Sequence, residues 1–186
     1  MEAVSPLTTP YTGPQPGSPE QVGAIIAELR RLYPDAHCSL NYSNPLELMV
    51  ATQLAAQCTD ERVNLVTVKL FSKYRTATDY ANASQTELEE DIHSAGFYRN
   101  KARNIRAACQ KILTDFNGEV PRTMSGLLSL AGVARKTANV VLSNAFGIVE
   151  GFTVDTHNIR LSRRFGWTNS EDPVKIEQEL MRIIPQ

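Results

Sequence analysis

Two basic side chains stand together where the sequence predicts the start of a helix. Arg135 and Lys136 follow a short turn around Gly132 and open a segment whose apolar residues recur at helical spacing. Cations at a helix N-terminus oppose the helix macrodipole, which favours anions there by about 0.3–1 kcal/mol each. A phosphate at this end would relieve the conflict, because backbone N–H groups and both cations would face it. The pair therefore indicates an anion-binding site.

Lys136 could also act as a nucleophile. A neutral lysine amine attacks electrophilic carbon and forms Schiff bases. The neighbouring Arg135 and the positive end of a helix both favour the neutral amine. Asp155 follows 19 residues later, after one predicted helix and a turn, and could bring a carboxylate to the same cleft, where it would assist proton transfer. The alternatives are a lysine that only binds phosphate and an aspartate that caps the next helix.

Composition describes an ordinary globular protein. The 186 residues are 42% hydrophobic and 21% charged, and no apolar run reaches the ~20 residues that cross a bilayer. We therefore expect a cytoplasmic protein, associated with the nucleoid if it is bacterial. Cys38, Cys58 and Cys109 are too widely spaced for a zinc site or a disulfide framework, which indicates reduced thiols and no metal site.

Charge is distributed unevenly along the chain. The net charge of −1 argues against an indiscriminate nucleic-acid binder, yet residues 99–136 carry eight basic and two acidic side chains, a formal charge of +6. Residues 1–90 carry six basic and eleven acidic side chains, a formal charge of −5. Such a polarised molecule can steer a polyanion to one face. The alternative is a solvated helix face rich in Arg and Lys.

Helical periodicity and capping residues predict an all-α protein. Residues 1–17 contain four prolines and no apolar periodicity, which predicts a disordered tail. The predicted helices start at Ser18-Pro19, at Asn44-Pro45, near Thr59, at Ser84, at Met124, after Gly132, at Thr156 and at Asp172-Pro173. A further helical pattern places Ala102, Ile105, Cys109, Ile112 and Phe116 on one face and ends at Gly118. A brief extended segment is predicted at 152–155, and no segment alternates as paired strands do.

Three motifs together resemble the endonuclease III family of base-excision DNA glycosylases, within the helix-hairpin-helix superfamily. Residues 130–138 read LAGVARKTA, similar to the family hairpin L-P-G-V-G-R-K-T-A. Residues 154–157 read VDTH, as in the family, and residues 56–60 read AQCTD, similar to its S/A-Q-x-T-D. The resemblance runs from about Ser18 to Gln186.

The resemblance implies a fold and two catalytic roles. It implies a six-helix domain over 38–148, with the helix-hairpin-helix at about 123–146. It also implies a second, incomplete helical domain formed by 18–37 and 149–186. Lys136 corresponds to the family's nucleophile and Asp155 to its catalytic acid/base.

The resemblance also implies DNA-binding residues. Gln57 corresponds to a residue that enters the duplex hole left by a flipped nucleotide. Phe97 and Tyr98 lie in the family's G-L-Y loop, where Phe97 replaces a leucine that wedges into the opposite strand. A core aromatic at a helix junction is the alternative for Phe97.

The remaining DNA contacts implied by the family involve phosphates. Backbone N–H groups of Gly132 and Ala134 would grip one phosphate, and Arg135 would add its charge. His157 could contact a phosphate or merely pack.

The chain departs from the family at the hairpin and near its C-terminus. Ala131 replaces a proline, and Ala134 replaces the second hairpin glycine; if that position needs a positive φ, alanine costs about 1 kcal/mol. Family members usually continue past the equivalent of Pro185 into a four-cysteine loop that holds a [4Fe–4S] cluster. This sequence ends at Gln186 without that spacing, so we expect no cofactor within these residues, and a cluster only if the chain is a fragment of a longer family member.

The resemblance therefore predicts a glycosylase with AP lyase activity. It would act as a monomer on oxidised pyrimidines in damaged double-stranded DNA, without a membrane partner. One alternative is a glycosylase specific for 8-oxoguanine, which shares the lysine and the aspartate. Another is a non-catalytic helix-hairpin-helix module, which would need neither.

Overall fold

The computed structural model describes residues 13–185, and within that range it is all-α, as expected. None of the described helices is long and apolar enough to cross a membrane. In chain order the helices are α1 Pro19–Leu32, α2 Pro45–Leu54, α3 Asp60–Lys73, α4 Ala77–Asn82, α5 Gln85–Asp91, the 3-10 turn His93–Ala95, α6 Tyr98–Asp115, α7 Met124–Leu128, α8 Arg135–Phe146, α9 Thr156–Arg164 and α10 Pro173–Ile183.

Side-chain caps start most of the helices where the sequence predicted. The Asn44 side chain accepts from the Glu47 N–H at 3.0 Å. Pro45 suits the first helical position because it has no N–H group that would be left without a partner there. Ser18, Thr59, Ser84 and Asp172 cap their helices in the same way. Because such a cap satisfies an orphan N–H group, it fixes where the helix begins.

Two details of the helix prediction were wrong. Helix α4, which begins with a reciprocal capping box between Thr76 and Asp79, was not predicted. The helix that starts after Ser84 ends at Asp91 rather than at Gly96, and the 3-10 turn fills the interval. The Glu87 carboxylate pairs with Lys73 on α3 at 2.7 Å, a contact between elements that the local sequence does not encode.

The larger of two compact units is His37–Asp155, which holds α2 to α8. α2 lies at its centre and is buried nearly all round, with α3, α6 and α8 packed against it. α6 also packs against α4 and α5, and α7 against α8. The fully buried side chains of α2 are Leu48, Met49, Val50, Ala51 and Leu54. Burial on every side explains why this helix has no polar stripe.

The other unit comprises the described residues up to Ala36 and those from Thr156 onward, with α1, α9 and α10. Val22, Ile176 and Leu180 are buried in it. The Gln21 side chain donates to the Phe165 carbonyl at 3.0 Å and accepts from the Trp167 indole at 3.1 Å.

The predicted disordered tail falls largely outside the described residues, which begin at 13. Within it, the Ser18 N–H donates to the Gln15 carbonyl at 3.0 Å. The Gly17 N–H donates to the Gln21 side chain at 2.7 Å. Residues 15–17 therefore form a turn that leads into α1.

Candidate active site

The hairpin between α7 and α8 depends on one glycine. Gly132 has a φ of +73°, a conformation that disfavours any side chain. A Cβ there would lie 2.8 Å from the Gln53 Oε1 atom and 2.9 Å from the Asn104 Cβ atom. The turn is therefore seated directly on α2 and α6, and only glycine allows that approach.

Ala134 does not carry the strain that a family glycine at this position suggested. Its φ of −91° and ψ of 172° are ordinary extended values, which alanine adopts freely. Ala134 is exposed and occupies the N-cap position of α8, so what it changes is the surface presented by the hairpin.

Arg135 and Lys136 are the first two residues of α8, and both side chains are exposed. No side chain caps this end of the helix. The first-turn N–H groups of a helix lack partners within it, so α8 presents donors and two cations at one exposed end. This is the arrangement that an incoming phosphate requires.

Asp155 lies in the same compact unit as Lys136, and a hydrogen bond ties its segment to α8. The Asn139 side chain, one turn after Lys136, donates to the Phe152 carbonyl at 3.2 Å. Val154 is buried next to the half-buried Asp155. Residues 152–155 form no β-strand but run in an irregular conformation directly into α9.

Gln57 and Phe97 share an unusual backbone conformation. Their φ values are +55° and +47°, in the left-handed region that non-glycine residues rarely adopt. Both side chains are exposed, and 65% of Phe97 is accessible. Phe97 is therefore not a core aromatic, and a large apolar ring at a strained, exposed turn is typical of a residue that contacts a partner.

The other predicted contacts lie in different settings. Tyr98 is half-buried at the start of α6, with its ring 4.4 Å from that of His93 and under the Arg99 guanidinium at 5.5 Å. His157 is exposed on α9, in the other compact unit.

A cleft of about 240 Å³, which was not predicted, lies beside these turns. The cleft is lined by Gln53, Ala56, Gln57, Phe97, Asn100, Lys101, Asn104 and Gly132. Lys101 is only 7% exposed. The sequence carries one signal of this buried lysine. Lys101 precedes the buried Ile105 by four residues and therefore falls on the apolar face of α6.

The basic stretch 99–136 is less basic at its surface than its sequence indicates. Lys101 is buried, and the Lys111 ammonium pairs with the Asp115 carboxylate at 2.5 Å. The Arg122 guanidinium lies over the Phe146 ring at 5.1 Å. The exposed cations of the stretch are Arg99, Arg103, Arg122, Arg135 and Lys136.

The described residues do not fit an iron–sulfur cluster. Such a cluster is held by several thiolates together, whereas no three His, Cys, Asp or Glu side chains between 13 and 185 lie together as a metal site. Cys38 and Cys58 are half-buried, and Cys109 is buried inside α6. Burial raises the pKa of the Cys109 thiol to about 12, so at neutral pH it is protonated.

Comparison with known proteins identifies the family. The model of the HhH-GPD superfamily base excision DNA repair proteins matches residues 50–186. Endonuclease III from Synechocystis sp. is 59% identical over 162 residues, which are 87% of this chain and 74% of the relative.

Two solved structures agree with this assignment. A trapped endonuclease III–DNA covalent intermediate is 49% identical, with a TM-score of 0.85 over 90% of this chain and 79% of the other. A non-covalent endonuclease III–DNA complex is also 49% identical, with a TM-score of 0.86 over 90% of this chain and 78% of the other. These likenesses to an enzyme family argue against a non-catalytic module. The chain, whose LAGVARKTA, AQCTD and VDTH sequences resemble those of the family, belongs to the HhH-GPD superfamily and is a base-excision DNA glycosylase/AP lyase of the endonuclease III family.

Proposed function

We propose that the Lys136 amine is the nucleophile of both reactions. Its nitrogen attacks the sugar C1′ atom, and the N-glycosidic bond breaks so that the base leaves with the bonding electrons. Opening of the sugar ring then gives a Schiff base between the amine and C1′. A general base then takes the C2′ proton, and the C3′–O bond breaks so that the 3′ phosphate leaves with the bonding electrons. Water finally hydrolyses the Schiff base and frees the Lys136 amine. The observation that carries this proposal is an exposed lysine at the uncapped start of α8.

Asp155 is proposed as the acid/base partner of Lys136. A carboxylate can accept the ammonium proton before attack and can stabilise the positive charge that develops on the sugar. The Asn139 contact with the Phe152 carbonyl supports this role, because it ties the 152–155 segment to the helix that carries Lys136.

DNA is held by the hairpin and opened by two exposed turns. The backbone of Gly132 and Ala134 and the charge of Arg135 bind phosphate, and Tyr98 and His157 add contacts. Gln57 fills the space of the flipped nucleotide, and Phe97 wedges into the opposite strand. The exposure of Gln57 and Phe97 on strained turns supports these two roles.

The substrate class is oxidised pyrimidines in duplex DNA, acted on by a monomer. The family supports this choice, and so do the AQCTD and GFY sequences. A duplex panel tests it, with thymine glycol, 8-oxoguanine or an undamaged base at one position. Release of thymine glycol at a rate at least tenfold above that of 8-oxoguanine is expected, whereas the reverse order would reassign the lesion.

Borohydride trapping tests the nucleophile. The protein is incubated with abasic duplex and borohydride, which reduces the Schiff base to a stable amine. Wild type should give a covalent protein–DNA band, and Lys136→Gln should give none. Lys175→Gln is the matched control, because Lys175 is also an exposed lysine in the first turn of a helix, and it should trap like wild type. A full-strength band from Lys136→Gln would refute the assignment.

A further inference from the structure

Two of the three described non-glycine residues with positive φ are Gln57 and Phe97. They are 40 residues apart in the chain, on turns that follow α2 and the 3-10 turn. A non-glycine residue in this region is strained and persists only where surrounding contacts determine it. Contacts with the rest of the protein must therefore hold each turn.

One side chain contacts the backbone just before each of these turns. The Lys101 ammonium donates to the Leu54 carbonyl at 2.8 Å and to the Ala95 carbonyl at 2.9 Å. Leu54 ends α2 three residues before Gln57, and Ala95 ends the 3-10 turn two residues before Phe97. Carbonyls at helix ends lack partners within the helix, and an ammonium offers three donors.

Lys101 is buried, and its two hydrogen bonds offset the cost of burying its charge. The residue is 7% exposed, and burial lowers the pKa of its amine. A buried ammonium is costly unless it is hydrogen-bonded. An apolar residue would fill this face of α6 at lower cost, so packing alone does not account for a lysine here.

We propose that Lys101 is a positioning residue that sets the distance between the two inserting side chains, Gln57 and Phe97. It anchors both turns to one point on α6, an 18-residue helix, before DNA arrives. Preorganisation of this kind lowers the ordering cost of binding. The inference rests on the proposed insertion of Gln57 and Phe97, and Lys101 itself is not placed on the DNA.

The test compares two DNA substrates that differ in their need for insertion. A duplex with a tetrahydrofuran abasic analogue has a hole to fill, whereas a single-stranded abasic oligonucleotide has no opposite strand. Lys101→Met should lower the preference for the analogue duplex over the undamaged duplex by about tenfold. Borohydride trapping on the single strand should stay within twofold of wild type.

Two further variants control for general damage to the protein. Lys111→Met removes another lysine of α6, which pairs with Asp115 and does not contact the two turns. This variant should keep the wild-type preference for the analogue duplex. Lys101→Gln retains an amide NH2 group as donor but no charge, and its preference for the analogue duplex should fall by about threefold, which provides a reading if Lys101→Met does not fold.

A double-mutant comparison separates this inference from the proposed function. In a Phe97→Ala background, Lys101→Met should cause a smaller further loss of preference than it does in wild type, because one of the two inserting side chains through which it acts is gone. An unchanged preference in both Lys101 variants, an equal loss in both backgrounds, or a parallel loss of single-strand trapping would overturn the positioning role. Full preference in Phe97→Ala itself would instead overturn insertion.

Discussion

At the scale of single residues, two neighbouring hairpin positions behave differently. Gly132 has a φ of +73°, and a Cβ added there would lie 2.8 Å from the Gln53 amide oxygen. Ala134 has a φ of −91° and an exposed side chain. A glycine is therefore required at 132, whereas alanine is tolerated at 134 without backbone strain.

Gly132→Ala should destabilise the protein and weaken its grip on DNA. The added methyl group must displace Gln53 or Asn104, and the positive φ adds strain, so we expect a loss of about 1–3 kcal/mol. For a chain of this size that corresponds to a melting temperature lower by roughly 2–12 °C. Differential scanning calorimetry and anisotropy with abasic duplex measure the two effects, and an unchanged melting temperature would contradict the packing described.

Ala134→Gly is the matched variant at the neighbouring position. Because Ala134 has ordinary extended angles, glycine relieves no strain there. The affinity for abasic duplex should stay within about twofold of wild type. A tenfold gain would mean that the methyl group itself obstructs the phosphate.

The sequence predicted some of these residues and missed others for physical reasons. Lys136 and Asp155 belong to local motifs, so their types and spacing could be recognised directly. Lys101 acts through carbonyls 47 and 6 positions away, and main-chain carbonyls carry no residue type. The conformation of Ala134 was likewise undetermined, since alanine is compatible with many extended conformations.

At the scale of elements, α8 and the 152–155 segment act as a pair. Their bond runs from the buried Asn139 to the Phe152 carbonyl. This contact joins the helix that presents Lys136 to the segment that ends in Asp155. Catalytic groups displaced by about 1 Å can lose as much as 10²-fold in rate.

Asn139→Ala should slow the lyase reaction more than it weakens binding. We expect single-turnover cleavage of abasic duplex to fall by about tenfold, with DNA affinity within twofold of wild type. Asn144→Ala on the same helix is the control, since the exposed Asn144 amide bonds to its own helix at Val140. Equal rates for the two variants would show that the Asn139 contact has no catalytic role.

A second pair of elements, α3 and α5, is joined through Asp91. Its carboxylate accepts from Lys73 at 2.5 Å, from Tyr74 at 3.0 Å and from Lys69 at 3.3 Å. Burial alone would raise the pKa of Asp91, but these hydrogen bonds hold it below its ordinary value. The ionised form is therefore favoured in the folded protein.

Asp91→Asn should destabilise the protein in a pH-dependent way. At pH 7 we expect a loss of about 1–3 kcal/mol, since the substitution removes the carboxylate that accepts from Tyr74 and Lys69 and leaves Lys73 paired with Glu87 alone. A depressed pKa contributes stability above the unfolded-state pKa of about 4, and that stability is lost as pH falls through the folded pKa. Urea unfolding at pH 7 and pH 3 should therefore give a smaller difference from wild type at the lower pH.

Asp115→Asn serves as the control for that titration. Asp115 is an exposed carboxylate paired with Lys111 on one helix, and exposed pairs contribute little. Its unfolding midpoint should match wild type at both pH values. If Asp91→Asn loses the same free energy of unfolding at both pH values, packing and not charge would account for the loss.

Helix starts are the feature of the fold that the sequence predicts best. Ser18, Asn44, Thr59, Ser84 and Asp172 are caps whose chemistry is local, so each start was predicted correctly. α4 was missed because six residues span under two turns, too few for an apolar period.

At the scale of the whole molecule, a nearly neutral chain presents localised positive charge. Of the eight cations between Arg99 and Lys136, five are exposed, whereas Lys101 is buried, Arg106 is half-buried and Lys111 is paired with Asp115. Affinity for undamaged duplex should fall with salt at a log–log slope of about −4.5, the value if each of the five neutralises one phosphate. Anisotropy titrations between 50 and 200 mM salt measure the slope, and a value shallower than about −1 would contradict phosphate-dominated binding.

The most direct measurement is to locate the trapped DNA on the chain. Wild-type protein reduced by borohydride on abasic duplex is digested with protease and nuclease, and the residual sugar adduct is mapped by mass spectrometry. The adduct is predicted on the Lys136 amine, in the peptide that begins α8. An adduct on another lysine or on the N-terminal amine, with Lys136 unmodified, would contradict the assignment of Lys136 as the nucleophile.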